Sequence, residues 1–187
     1  MTKKHLFIDN LQYSNWSPKI FDEMKEGNLT AVHVTISYHE NFRQTIENII
    51  TWNKFIELYS DRIMLGRSAE DVRIAYDTNK TAIIFGFQNC SPIEENIALI
   101  EVLHQLGVRF MQLSYNNQSL LATGCYEIND PGITRFGKQA IKEMQKNGAG
   151  FAGFAAWLDM TPADKDVFAV PDPNSLIQLP WNLSLIH

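Results

Sequence analysis

Asp9, Gln88, Tyr115 and Asn116 are the side chains of this sequence best suited to a shared binding site. One is acidic and three are neutral hydrogen-bonding groups, a set that could hold a small amide or an amine-bearing molecule. Gln88, Tyr115 and Asn116 come just after apolar runs, and Asp9 lies within the first one. Their competing role is structural: polar side chains in these places also tie loops to strand ends.

Other reactive groups are harder to assemble. The chain has no H-x-H, H-E-x-x-H or C-x-x-C pattern that would announce a metal or redox site. His33 lies inside an apolar run and reads as a satisfied core residue, His39 stands at a strand-to-helix junction, and His104 falls on a helix. His5 and His187 are near the termini. Cys90 and Cys125 follow strands, yet no histidine is placed by sequence to act as a base for either thiol. Glu127 could serve as a general base in a long loop, although a lone loop carboxylate is usually solvated. Gly86, Gly107 and Gly124 form no phosphate-cradling motif.

Alternating strands and helices must position these residues. Phe7 to Tyr13, Leu29 to Ser37, Ile63 to Leu65, Thr81 to Phe87 and Val108 to Leu113 read as strands. The second and fourth are apolar almost throughout, as expected of parallel strands covered on both faces. Helices are expected from Ser17-Pro18 to Gly27, from Glu40 to Tyr59, after Ser68, from Pro92 to Leu106, and after a Thr134 N-cap. The stripe Phe42, Ile46, Ile49, Trp52, Ile56 and Tyr59 makes the second helix the clearest. This alternation predicts an α/β fold with a parallel sheet, whose ligands bind at the C-terminal strand ends.

The run LGVRFMQLSYNNQSLLATGCYE, followed by GITRFGKQAIKEM, resembles the middle of the membrane (renal) dipeptidase family of zinc peptidases, family M19. The resemblance extends back through TAIIFGFQN to FIDNLQYSNW and covers about residues 6–148, closest to a bacterial branch that departs from the dipeptidase metal motifs. It implies a partial (β/α)8 TIM-type barrel, roughly the first half, because a complete barrel takes about 250 residues. It also implies zinc, with a dipeptide or related small amide as ligand. The family's H-x-D pair falls on Leu11 and Tyr13, its bridging glutamate on Gln88, and a substrate-binding histidine on Tyr115. Asp9 falls on a family aspartate. Leucine has no lone pair, and an amide cannot bridge two cations with negative charge, so no metal ligand is expected here. A dipeptidase-like hydrolase inactive on its own is the expected function, with a non-catalytic binding or oligomeric scaffold, or a non-functional fusion fragment, as alternatives.

Composition shifts at Gly148 toward small, aromatic and proline residues. GFAGFAAWLDMTPADKDVFAVPDPNSLIQLPW resembles a short piece of the N-terminal β-grasp region of type III-like glutamine synthetases, over about 150–181. The expected division is therefore a half barrel at 1–148, an irregular glutamine-synthetase-like segment at 149–181, and a tail at 182–187. A net charge of -5 without long charged runs points to no nucleic-acid or anionic-membrane partner. Leu6-Phe7-Ile8 is too short for a signal peptide, and no apolar run approaches a membrane span, so a cytoplasmic protein is expected. An open half barrel would expose sheet edges, which favours a homo-oligomer.

Overall fold

The computed structural model describes residues 6–147 and 150–151. Five strands run in the order β1 (Phe7–Gln12), β2 (Leu29–Ser37), β4 (Thr81–Phe87), β5 (Val108–Met111) and β6 (Gly150–Phe151), and the short β3 (Ile63–Leu65) pairs with the start of β4. Every pairing is parallel. The C-terminal ends of β1, β2, β4 and β5 therefore lie along one rim. This is the α/β parallel architecture that the alternation of the sequence predicts.

Strand periodicity divides the sheet into two faces. Val32, Val34 and Ile36 of β2 and Ile83, Phe85 and Phe87 of β4 point to one side and are all buried. There they meet α1 (Pro18–Glu26) through Phe21 and Met24, and α2 (Phe42–Leu58) through Ile49 and Trp52. The same cluster takes in α4 (Leu99–Gln105) through Ile100 and Leu103, and α5 (Arg135–Lys146) through Ala140, Ile141 and Met144. The alternate residues Ala31 and Ala82 face the other way, where Val72 and Ala75 of α3 (Ala69–Asp77) cover the sheet near the strand starts. Small side chains at 31 and 82 let that helix come close.

Of the caps expected from sequence, Ser68 and Thr134 act as such and Ser17 does not, while Asn41 adds one that was not expected. Asn41 and Gln44 form a reciprocal capping box, and Ser68 and Thr134 each accept a bond from the first turn of α3 and α5. Ser17 precedes Pro18 but its side chain makes no cap hydrogen bond. The expected helix from Pro92 to Leu106 is instead a short 3-10 turn, Ser91–Ile93, followed by α4 only from Leu99. Local bonding explains the break: Glu94 turns to φ 49°, its carboxylate accepts from Phe42 N at 3.2 Å, and Asn96 Oδ1 accepts from Ala98 N.

Gly150–Phe151 adds a two-residue strand past the boundary expected at 148, pairing with Phe110 and Met111. The rest of the expected segments 149–181 and 182–187 lies outside the described residues.

Candidate functional site

The polar group at the strand ends is built on β2. Its apolar run ends at Ser37, and the chain turns at once into Tyr38, His39 and Glu40. One carboxylate oxygen of Glu40 accepts from Tyr38 N at 2.6 Å, His39 N at 3.0 Å and Ser37 Oγ at 3.3 Å. Partial burial alone would raise the pKa of Glu40, but these donors outweigh it and hold the carboxyl below its ordinary value. The turn is thereby fixed, and Tyr38 is directed back over the rim.

Gln88 follows β4 and is buried, with its Nε2 donating to Thr35 Oγ1 at 2.8 Å. The Tyr38 phenol lies beside the same pair, near enough for Thr35 and Gln88 to favour its ionised form. Desolvation, with smaller contributions from Tyr115 and Tyr13, outweighs that influence and raises the Tyr38 pKa, so the phenol stays protonated at neutral pH. Around it stand Tyr13, whose ring centroid is 5.1 Å away at 79°, and Tyr115, at 5.3 Å and 70°. His39 lies 6.1 Å from Tyr115, and its Nδ1 is 3.5 Å from Asn89 Nδ2.

Of the four residues singled out from sequence, Gln88 and Tyr115 come together through Tyr38. The other two do different work. Asp9 accepts from Asn10 N at 2.8 Å and from Gln12 Nε2, where the β1 register is irregular. Asn116 organises the long loop after β5. Its main-chain oxygen accepts from Tyr126 N at 2.8 Å, and its Oδ1 lies 3.6 Å from Cys125 Sγ. Gly124 packs on that same carbonyl, where a Cβ would come within 2.3 Å. Tyr38 and Thr35 were not singled out from sequence. The available signal was position alone: Tyr38 is the first residue past the LTAVHVTIS run.

His33 departs from expectation. It is buried as foreseen, with Nδ1 bonded to Asn10 Oδ1 at 2.7 Å, but its Nε2 has no hydrogen-bond partner among the described residues. Its ring stacks on Phe110 at 4.7 Å. Burial lowers its pKa to about 4, which keeps it neutral. Cys90 is also buried, its Sγ donating to Gln112 O at 3.0 Å, and desolvation pushes its thiol pKa far upward. Such a group is no thiolate nucleophile.

Metal chemistry finds little to hold on to here. Gln88 commits its amide N–H to Thr35, and the ring of Tyr13 packs against Tyr38. Among the described residues, no group of three or more histidine, cysteine, aspartate or glutamate side chains is placed to bind a metal ion. A binuclear zinc centre needs several such donors and an anionic bridge, so the described residues do not fit one. A cavity of about 270 Å³ lies elsewhere, lined by Lys25, Thr30, Asn79 and Thr81 at the opposite ends of β2 and β4. It is remote from the polar rim, which therefore remains the better candidate site on chemical grounds.

The model of the membrane dipeptidase family, peptidase family M19, matches residues 9–149. The chain belongs to the M19 family. Among solved structures, an amidohydrolase from Pseudomonas aeruginosa is 36% identical with a TM-score of 0.76, over 86% of this chain and 47% of that one. A dipeptidase of Claviceps purpurea is 27% identical over 114 residues, 59% of this chain and 27% of the relative. A separate likeness joins these. A glutamine synthetase of Rhizobium leguminosarum is 72% identical over 43 residues, covering 23% of this chain and 10% of that enzyme. This M19 chain thus spans about half or less of the length of each relative. The fold is that of the M19 barrels, represented here by part of the barrel sheet. No helix among the described residues is long and apolar enough to cross a membrane.

Proposed function

We propose that this chain carries the small-amide-binding rim of a zinc dipeptidase-like hydrolase without the machinery to hydrolyse a dipeptide on its own. The observation that carries the reading is Gln88. It stands where the resemblance to the family puts a bridging glutamate, yet it is a buried amide hydrogen-bonded to Thr35. Zinc, in relatives that bind it, would supply an activated water. In this chain the corresponding positions offer Leu11, Tyr13 and Gln88, and none of the three supplies the anionic or imidazole donors that such a centre requires.

What the rim retains is binding chemistry. The Gln88 carbonyl, the Thr35 hydroxyl and the Tyr38 phenol offer neutral donors and acceptors to an amide, with Tyr115 beside them. Neutral groups hold an amide without a charge to desolvate. In this reading the protein is cytoplasmic, binds dipeptides or related small amides, and acts as a partial barrel whose β1 pairs only with β2 among the described residues. That open edge favours association with a second copy.

The test is hydrolysis of a dipeptide panel by the full chain with zinc supplied, alongside the mass of the protein in solution. We expect no turnover above a heat-treated control and a mass above that of one chain. Zinc-dependent turnover would overturn the reading.

A further inference from the structure

Tyr13, Tyr38 and Tyr115 belong to three different strand-to-helix connections, yet their rings meet at one place on the rim. Core packing does not account for this. Tyr13 is 68% exposed, and Tyr38 and Tyr115 are half-buried. The pairs Tyr13–Tyr38 and Tyr38–Tyr115 are close to perpendicular, at 79° and 70°. In each pair the edge of one ring rests against the face of the other, the two pairs share the central ring, and the faces left uncovered, chiefly those of the exposed Tyr13, are open to a ligand. A cation within about 6 Å of a ring centroid is drawn to that face by the ring quadrupole. Among the described residues, no lysine or arginine occupies these faces. Among the described residues, a cation contact of this kind, Arg62 over Tyr59, lies elsewhere.

We propose that Tyr13, Tyr38 and Tyr115 form an aromatic subsite for a cationic amine group, so that the ligand of this rim carries a positive charge next to its amide or hydroxyl function. The inference rests on the reading of the rim as a ligand-binding face and adds the charge of the ligand to it. Thr35 and Gln88, hydrogen-bonded to each other beside the Tyr38 side chain, supply neutral polar groups next to the rings, able to take the polar end of the same molecule. An aromatic wall prefers a cation over a neutral group of the same shape. A flat stacking ligand or a plain apolar group would show no such preference.

The experiment compares choline with its neutral isostere 3,3-dimethylbutan-1-ol, titrated into the full chain and followed by the tyrosine ring resonances. We expect saturable choline binding about fivefold tighter than that of the isostere, the preference of a partly exposed cation–π site. Tyr13→Ala should abolish most of that preference and Tyr13→Phe should keep it. Because Tyr13 is exposed, neither variant should disturb folding. Equal affinity for the two probes, or a preference unchanged in Tyr13→Ala, would overturn the subsite. Titration of N-acetylglycinamide in parallel separates this from the broader reading. Amide binding without cation preference removes the subsite alone, whereas choline preference without amide binding removes the amide reading alone.

Discussion

Gly86 lies so close to His33 that a Cβ built on it would come within 1.6 Å of the histidine Nε2. The two residues sit on adjacent strands, and their contact leaves no room between β2 and β4 on that face. Gly86→Ala should therefore force the imidazole out of its stack on Phe110 and lower stability by about 1–3 kcal/mol, the usual range for overpacking a filled core. Urea unfolding of the variant against the parent checks this. An unchanged midpoint would mean that the strands separate easily.

His33 also makes stability depend on pH. Its folded pKa is about 4, below the ordinary 6.5, because burial disfavours the imidazolium. Between these values the unfolded chain binds more protons than the folded one, so stability rises with pH. The contribution is complete above pH 6.5 and is lost as pH falls toward 4. The total is on the order of 3 kcal/mol, since each pKa unit corresponds to about 1.4 kcal/mol. Unfolding midpoints at pH 7 and pH 5 should differ, and His33→Leu should flatten the difference.

Gln88→Glu would restore the carboxylate that the family resemblance places there. Because the site is buried, the new carboxyl should titrate above its ordinary value. Its effect on pH dependence is then opposite to that of His33: the stability it contributes is present at acid pH and lost as pH rises through the folded pKa. We expect the variant to be destabilised at pH 7 by about 1–3 kcal/mol, as for a buried group left poorly satisfied, and to recover on acidification. It should gain no zinc, since the positions at Leu11 and Tyr13 are unchanged. Near-stoichiometric zinc in this variant would contradict the donor count.

Glu40→Ala removes the acceptor shared by Tyr38 N, His39 N and Ser37 Oγ. With Glu40 partly exposed, the loss should be modest, about 1 kcal/mol, but amide exchange at Tyr38 and His39 should speed up clearly. Unaltered exchange would show that the turn is held by something other than the carboxylate.

Much of the fold could be read from the sequence because the central strands β2 and β4 are apolar almost throughout. LTAVHVTIS and TAIIFGF became β2 and β4 with the expected limits, and the stripe from Phe42 to Trp52 packed as one helix face. The break at Glu94 could not be read this way. Ile93, Ile97, Ile100 and Leu103 keep helical spacing through it, and the bonds that accompany the interruption, from Phe42 N to Glu94 and from Ala98 N to Asn96, have no signature in that spacing. At the rim, Gln88 and Tyr115 were legible as polar residues just past apolar runs. Tyr38 was not, because a tyrosine after a strand has no distinguishing pattern until Tyr13 and Tyr115 arrive from elsewhere in the chain. Asp9 was legible by type alone, and its hydrogen bonds to Asn10 and Gln12 at the end of β1 were not.

The most direct test of a rim that binds without a zinc centre is the metal content of the full chain, purified without chelator or affinity tag and measured by mass spectrometry. We expect well under one zinc per chain. Near-stoichiometric zinc would contradict the reading and would require donors that the described residues do not bring together.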